Sequence, residues 1–107
     1  MSNNIPNDFT IVKQTIAGGV KFEAAGFINM NTAVDFEKAL DGAVQAGEKS
    51  IILDMGKVVA LTSFGVRVIL KTYKATAAKG GKFQIENPSP TILAVLKISN
   101  LEQLLVK

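Results

Sequence analysis

No cysteine, histidine or tryptophan occurs anywhere in this 107-residue chain. Without cysteine there are no disulfides and no thiolate sites, and nothing follows about redox compartment. Without histidine, Ser–His catalysis and ordinary zinc sites are excluded. No G-x-x-x-x-G-K-[ST] or G-x-G-x-x-G spacing is present, and Gly18-Gly19 and Gly80-Gly81 are too short to cradle a nucleotide. A Ser–Lys dyad built on Ser63 would lack an oxyanion hole and a third group to orient it. These absences argue against an enzyme and against a resident cofactor or metal. No apolar run approaches the ~20 residues that span a bilayer. Met1-Ser2-Asn3-Asn4 lacks the basic and apolar regions of a signal peptide. The expectation is a cytoplasmic protein without membrane insertion. Aromatic residues make up 7% of the chain and no RNA- or DNA-binding motif is visible, so nucleic acid is not an expected partner. A formal charge of +3 is too mild to change that, but it suits an acidic partner surface.

What is present fits one domain over residues 1–107, with a polar, Pro6-containing flexible lead-in over 1–8. Phe9 to Thr15 and Val20 to Ala25 alternate and are β-branched, and Ala17-Gly18-Gly19 between them reads as a hairpin turn. Gly26 to Asn31 reads as a loop into a helix capped by Asn31 or Thr32. Asp35 would complete a capping box on Thr32, and Gly47 would end the helix. Phe36, Ala39, Leu40 and Ala43 recur at helical spacing. Ser50 to Asp54 reads as a buried central strand, followed by a long loop into Leu61-Thr62-Ser63-Phe64-Gly65. The next helix carries an apolar stripe of Val66, Ile69, Leu70, Tyr73 and Ala77 and, on its other side, a basic stripe of Arg67, Lys71 and Lys74. Gly80-Gly81 ends it and Lys82 to Glu86 alternates as a strand. Ser89 and Pro90 open a third helix with Ile92, Leu93, Val95 and Leu96 on its apolar side. Ser99-Asn100 breaks that helix, and Leu104 to Val106 returns as a short strand or a helical turn. The order ββαβαβα(β) predicts an α/β domain with a mixed sheet and helices packed mainly on one face.

The run from the central strand into the second helix resembles the STAS domain of bacterial anti-sigma-factor antagonists. In that family the loop leads through Asp-Ser-Ser-Gly-Leu-Gly into a helix beginning Val-Ile-Leu. Here Thr62-Ser63-Phe64-Gly65-Val66-Arg67-Val68-Ile69-Leu70 aligns without a gap, and Ser63 falls on the family's phosphorylated serine. Thr62 replaces the preceding acid, Phe64 the second serine and Arg67 the second glycine. A second signature, Gly-Glu-Leu-Asp, stands as Gly26-Phe27-Ile28-Asn29, with both acids absent. The resemblance implies a non-enzymatic binding module, a monomer or weak homodimer. It would dock on a serine kinase that is also an anti-sigma factor, be released when Ser63 or Thr62 is phosphorylated, and be reset by a phosphatase. The implied contact residues are Phe27, Asn29, Leu61, Thr62, Ser63, Phe64, Gly65, Arg67 and Lys71.

Each of these positions also has a plainer reading. Ser63 or Thr62 can be an N-cap hydroxyl rather than a phosphate acceptor. Arg67, Lys71 and Lys74 can be a solvated helix face. Asn29 can be a loop hydrogen-bonder rather than a relic of an acidic switch. Phe27 and Phe64 can be core, or an exposed apolar patch that marks an interface. A different functional class fits the same fold: a permanent, unphosphorylated subunit of a signalling scaffold or lipid-transport assembly.

Overall fold

The computed structural model describes residues 9–106, so the lead-in expected over 1–8 lies outside the described residues. Strand β1 (Phe9–Ile16) turns through Ala17-Gly18 into β2 (Gly19–Ile28), antiparallel, in a register running from Phe9 opposite Gly26 to Ile16 opposite Gly19. Helix α1 (Ala33–Gln45) crosses to β3 (Ser50–Leu61), which pairs parallel with β2. Helix α2 (Ser63–Ala78) crosses to β4 (Lys82–Glu86), parallel to β3. Helix α3 (Pro90–Ile98) and a 3₁₀ turn (Glu102–Leu104) complete a four-stranded sheet of order β1-β2-β3-β4.

Alternation along the strands separates the two faces of the sheet. Val20, Phe22, Ala24, Ile51, Leu53, Phe83 and Ile85 point into a core closed by Phe36 and Leu40 of α1, Ile69 of α2, and Ile92 and Leu96 of α3. On the opposite face Lys21 lies 2.6 Å from Glu86 and 3.9 Å from Asp54, a three-strand ion cluster at the surface. The order and layering match the expectation from the sequence.

Several local readings need correction. The expected loops at Gly26–Ile28 and Lys57–Leu61 are strand: β2 runs to Ile28 and β3 to Leu61. Register shifts between Glu23 and Ala25 and between Gly26 and Phe27 absorb the irregularity. The extra residue at such a bulge lets a strand continue past a position where strict alternation would turn it outward. Val58 and Leu61 are thus both buried, while Val59 between them is exposed. Of the expected stripe on α2, Ile69 is buried and Val66 and Tyr73 pack half-buried against the core, but Leu70 and Ala77 are exposed, and Gly65, Val68, Thr72 and Thr76 complete the buried side instead. The expected capping box on α1 does not form, since the Thr32 side chain makes no cap hydrogen bond. Its hydroxyl donates to the Phe27 carbonyl at 2.6 Å and accepts from the Asn29 N–H at 2.9 Å. Ser89 does cap α3, its Oγ accepting from the Ile92 N–H at 3.4 Å with Pro90 in the first turn. At the C-terminal end both alternatives are partly realised: the 3₁₀ turn is followed by a parallel bridge from Leu105 to Ile85.

Candidate functional site

The longer strands place the site. Ile28 lies opposite Leu61, so β2 and β3 end together, and α1 and α2 both begin within a few residues of that edge. Loops at the carboxyl ends of parallel strands are where open α/β sheets place their binding surfaces. Two side chains shape this edge. Asn29 Oδ1 accepts from the N–H groups of Asn31 at 2.9 Å and Thr32 at 3.1 Å, which folds the chain into α1. This is the loop-hydrogen-bonding role weighed for Asn29. Thr62 hangs α2 on the end of β2: its N–H and its hydroxyl both donate to the Ile28 carbonyl, at 3.0 and 2.9 Å.

The hydroxyl cap expected on α2 is absent. Thr62 holds the N-cap position in extended backbone, yet its side chain makes no cap hydrogen bond because it is committed to Ile28. Ser63, one residue further, opens the helix proper and is exposed. Among the described residues no hydrogen bond engages its hydroxyl. The first turn of α2 has no acidic residue. The free N–H groups and positive dipole end of the helix therefore face outward beside Ser63.

Leu61 and Gly65, both among the implied contact residues, are buried and support the site from beneath. A Cβ on Gly65 would sit 2.5 Å from Leu61 Cδ1 and 2.6 Å from Ile28 Cγ2, so only glycine lets α2 approach the sheet this closely. Phe64 points the other way and is 40% exposed, with the Arg67 guanidinium 6.0 Å above its ring. Phe27 is half-buried on β2 and does not join it. Phe64 instead forms one wall of a groove of about 190 Å³ between α1 and α2, opposite Met30 and Val34. Those two residues, 61% and 52% exposed, were not anticipated. The available signal was Val34, an aliphatic residue off the Phe36–Leu40–Ala43 stripe. Lys71 closes the groove's far end, bonded to Glu37 and lying 3.3 Å from Asp41, both on α1. The Glu37 hydrogen bond, then that to Asp41, raises the Lys71 pKa above its ordinary 10.5. Lys74 is exposed one turn further along α2.

The STAS domain family model matches residues 10–107. This chain belongs to the STAS family. Its members are regulatory protein-binding domains rather than enzymes. A 74-residue stretch, 69% of this STAS domain, is 30% identical to BtrV of Bordetella bronchiseptica, whose name describes it as a candidate anti-sigma factor antagonist. The matched stretch spans 64% of that relative's length. An anti-sigma factor antagonist from Mycobacterium paratuberculosis superposes with a TM-score of 0.84 at 22% identity, over 92% of this chain and 84% of its own. The antagonist SpoIIAA superposes in its unphosphorylated form with a TM-score of 0.80 at 20% identity, over 91% and 86%. The phosphorylated form, from Bacillus, gives 0.74 at 21%, over 92% and 89%. At these identities the structural likeness concerns the fold. No helix among the described residues is long and apolar enough to cross a membrane.

Proposed function

We propose that this STAS domain is an anti-sigma-factor antagonist switched by phosphorylation of Ser63. The observation that carries the reading is the exposed Ser63 hydroxyl, unengaged by any hydrogen bond among the described residues, at the open N-terminus of α2. Thr62, the other hydroxyl weighed, is tied to the Ile28 carbonyl and would have to release it before it could accept a phosphate. The unmodified domain docks through the first turns of α2, with Ser63, Phe64, Arg67 and Lys71 at the contact, on an anti-sigma factor that is also a serine kinase. The bound sigma factor is thereby freed. The kinase brings ATP and magnesium, so the domain needs no cofactor of its own. Transfer of the γ-phosphoryl group to Ser63 adds about −1.5 to −2 charge at an interface built around a neutral hydroxyl. Repulsion and the desolvation cost of the dianion then expel the partner. The helix N-terminus tolerates the phosphate, so the domain itself stays folded. A phosphatase resets the cycle.

One observation favours a second reading. Met30, Val34 and Phe64 are exposed apolar residues clustered at the same edge, as a permanent interface in a signalling scaffold or lipid-transport assembly would require. Site-resolved mass spectrometry of the protein isolated from its own cells, under growth and under stress, separates the two. The antagonist reading requires a phosphate on Ser63 whose occupancy changes with conditions. No phosphate under any condition, with the protein always in one complex, supports the permanent subunit.

A further inference from the structure

The groove between α1 and α2 has a mixed character that defines what it can hold. Its walls are the exposed apolar side chains of Met30, Val34 and Phe64, and Val68 is buried at its base. An apolar cavity of roughly 150 Å³ holds a benzene. At about 190 Å³ this groove accepts one large aliphatic or aromatic side chain. The charges around it are not balanced. Lys71 is shared between Glu37 and Asp41, so its charge is spent within the domain. Arg67 has no carboxylate within ion-pair distance among the described residues and lies over the Phe64 ring at the rim. Lys74 follows on the same helix face, exposed and likewise without an ion pair among the described residues. At the lining of the apolar slot Arg67 is thus the cation left without an ion pair among the described residues, one helical turn from a lysine already shared by two carboxylates.

We propose that this groove is the specificity pocket of the domain, and that it takes a peptide segment of the partner presenting an apolar side chain flanked by Asp or Glu. The apolar side chain enters between Val34 and Phe64, and the carboxylate pairs with Arg67. Burying the slot supplies affinity, while the charge pair sets orientation and excludes partners with basic residues at that position. The inference rests on the antagonist reading only for the partner's identity. The recognition chemistry stands on the groove itself.

A randomised peptide library panned on the full chain tests it. The expected consensus is a large apolar residue with Asp or Glu within a few positions, and bound peptides shift the backbone NMR signals of Met30, Val34 and Phe64. Val34→Glu and Arg67→Glu, both at exposed positions, each weaken such peptides about tenfold or more, with circular dichroism unchanged. Repanning on the Arg67→Glu protein selects Lys or Arg in place of the acid. A consensus without an acid, peptides that map to the open face of the sheet around Lys21, or no enrichment over background would each overturn the proposal. Titration with the cell's own anti-sigma factor distinguishes the two readings. Peptide capture without anti-sigma-factor binding removes the antagonist reading and leaves the pocket. Anti-sigma-factor binding that Val34→Glu does not weaken removes the pocket and leaves the antagonist.

Discussion

Gly65 shows how tightly single residues are constrained at this site. A methyl group there would press into both Leu61 and Ile28, two buried side chains that would have to shift to admit it. Overpacking of this kind costs about 1–3 kcal/mol, so Gly65→Ala should lower the urea midpoint accordingly while leaving the Ser63 hydroxyl in place. Asn29 is constrained by its oxygen. Asn29→Ala removes the acceptor for two N–H groups at the start of α1 and should cost about 1 kcal/mol, and Asn29→Asp, which keeps the acceptor, should cost less. Denaturation of the three proteins side by side checks both. The glycine was legible in the sequence as part of a motif, but its reason was not, because only the packed fold shows what lies 2.5 Å away. Asn31 and Thr32 read as the caps because they stand next to the helical periodicity, and Asn29 as a residue of the loop before them. The continuation of β2 to Ile28 decided the matter, leaving Asn29 at the point where the chain must turn.

At the scale of elements, α2 shows where hydrophobic periodicity misleads. Counting apolar residues predicts a stripe through Leu70 and Ala77, yet the helix buries Thr72 and Thr76. Threonine can do this because its hydroxyl bonds back to the carbonyl four residues earlier, Thr72 to Val68 at 2.9 Å and Thr76 to Thr72 at 2.7 Å. The methyl group is then left for the core, so a residue scored as polar packs as an apolar one. The rotated face makes a sharp contrast between neighbours. Ile69→Ala, fully buried, should cost about 2–5 kcal/mol, while Leu70→Lys should stay within about 0.5 kcal/mol of wild type. Comparable losses at both positions in urea denaturation would contradict the assignment. The length of β3 was hidden for a similar reason. Gly56-Lys57 looks like the end of a strand, and the register shifts that carry pairing through to Leu61 have no mark in composition. That hidden extension brings Thr62 to the edge of the sheet.

For the whole molecule, the sequence order and the STAS resemblance already implied a mixed sheet with helices on one face. What they left open was which charges are used internally and which face a partner. Two lysines tie elements together: Lys21 spans three strands, and Lys71 joins α2 to α1. Both pKa values are raised above 10.5, by the hydrogen bonds to Glu86 and to Glu37 respectively. A raised lysine pKa contributes stability that is complete below the unfolded value and is lost as pH climbs through the higher folded value. The difference in stability between wild type and a Lys21→Met, Lys71→Met double variant should therefore be constant from pH 6 to about 9.5 and shrink above about 10.5. A difference that varies across neutral pH would contradict this. Arg67 and Lys74 take no part in such ties among the described residues, which leaves both charges exposed on α2.

The central claim is that Ser63 is a charge switch on a docking surface, and isothermal titration tests it most directly. The full chain, unmodified and carrying phosphoserine at position 63, is titrated into the anti-sigma factor of the same cell. The account predicts tight binding of the unmodified protein and a loss of roughly 100-fold or more on phosphorylation, about 3 kcal/mol, with the fold unchanged. Equal affinities for the two forms would contradict it.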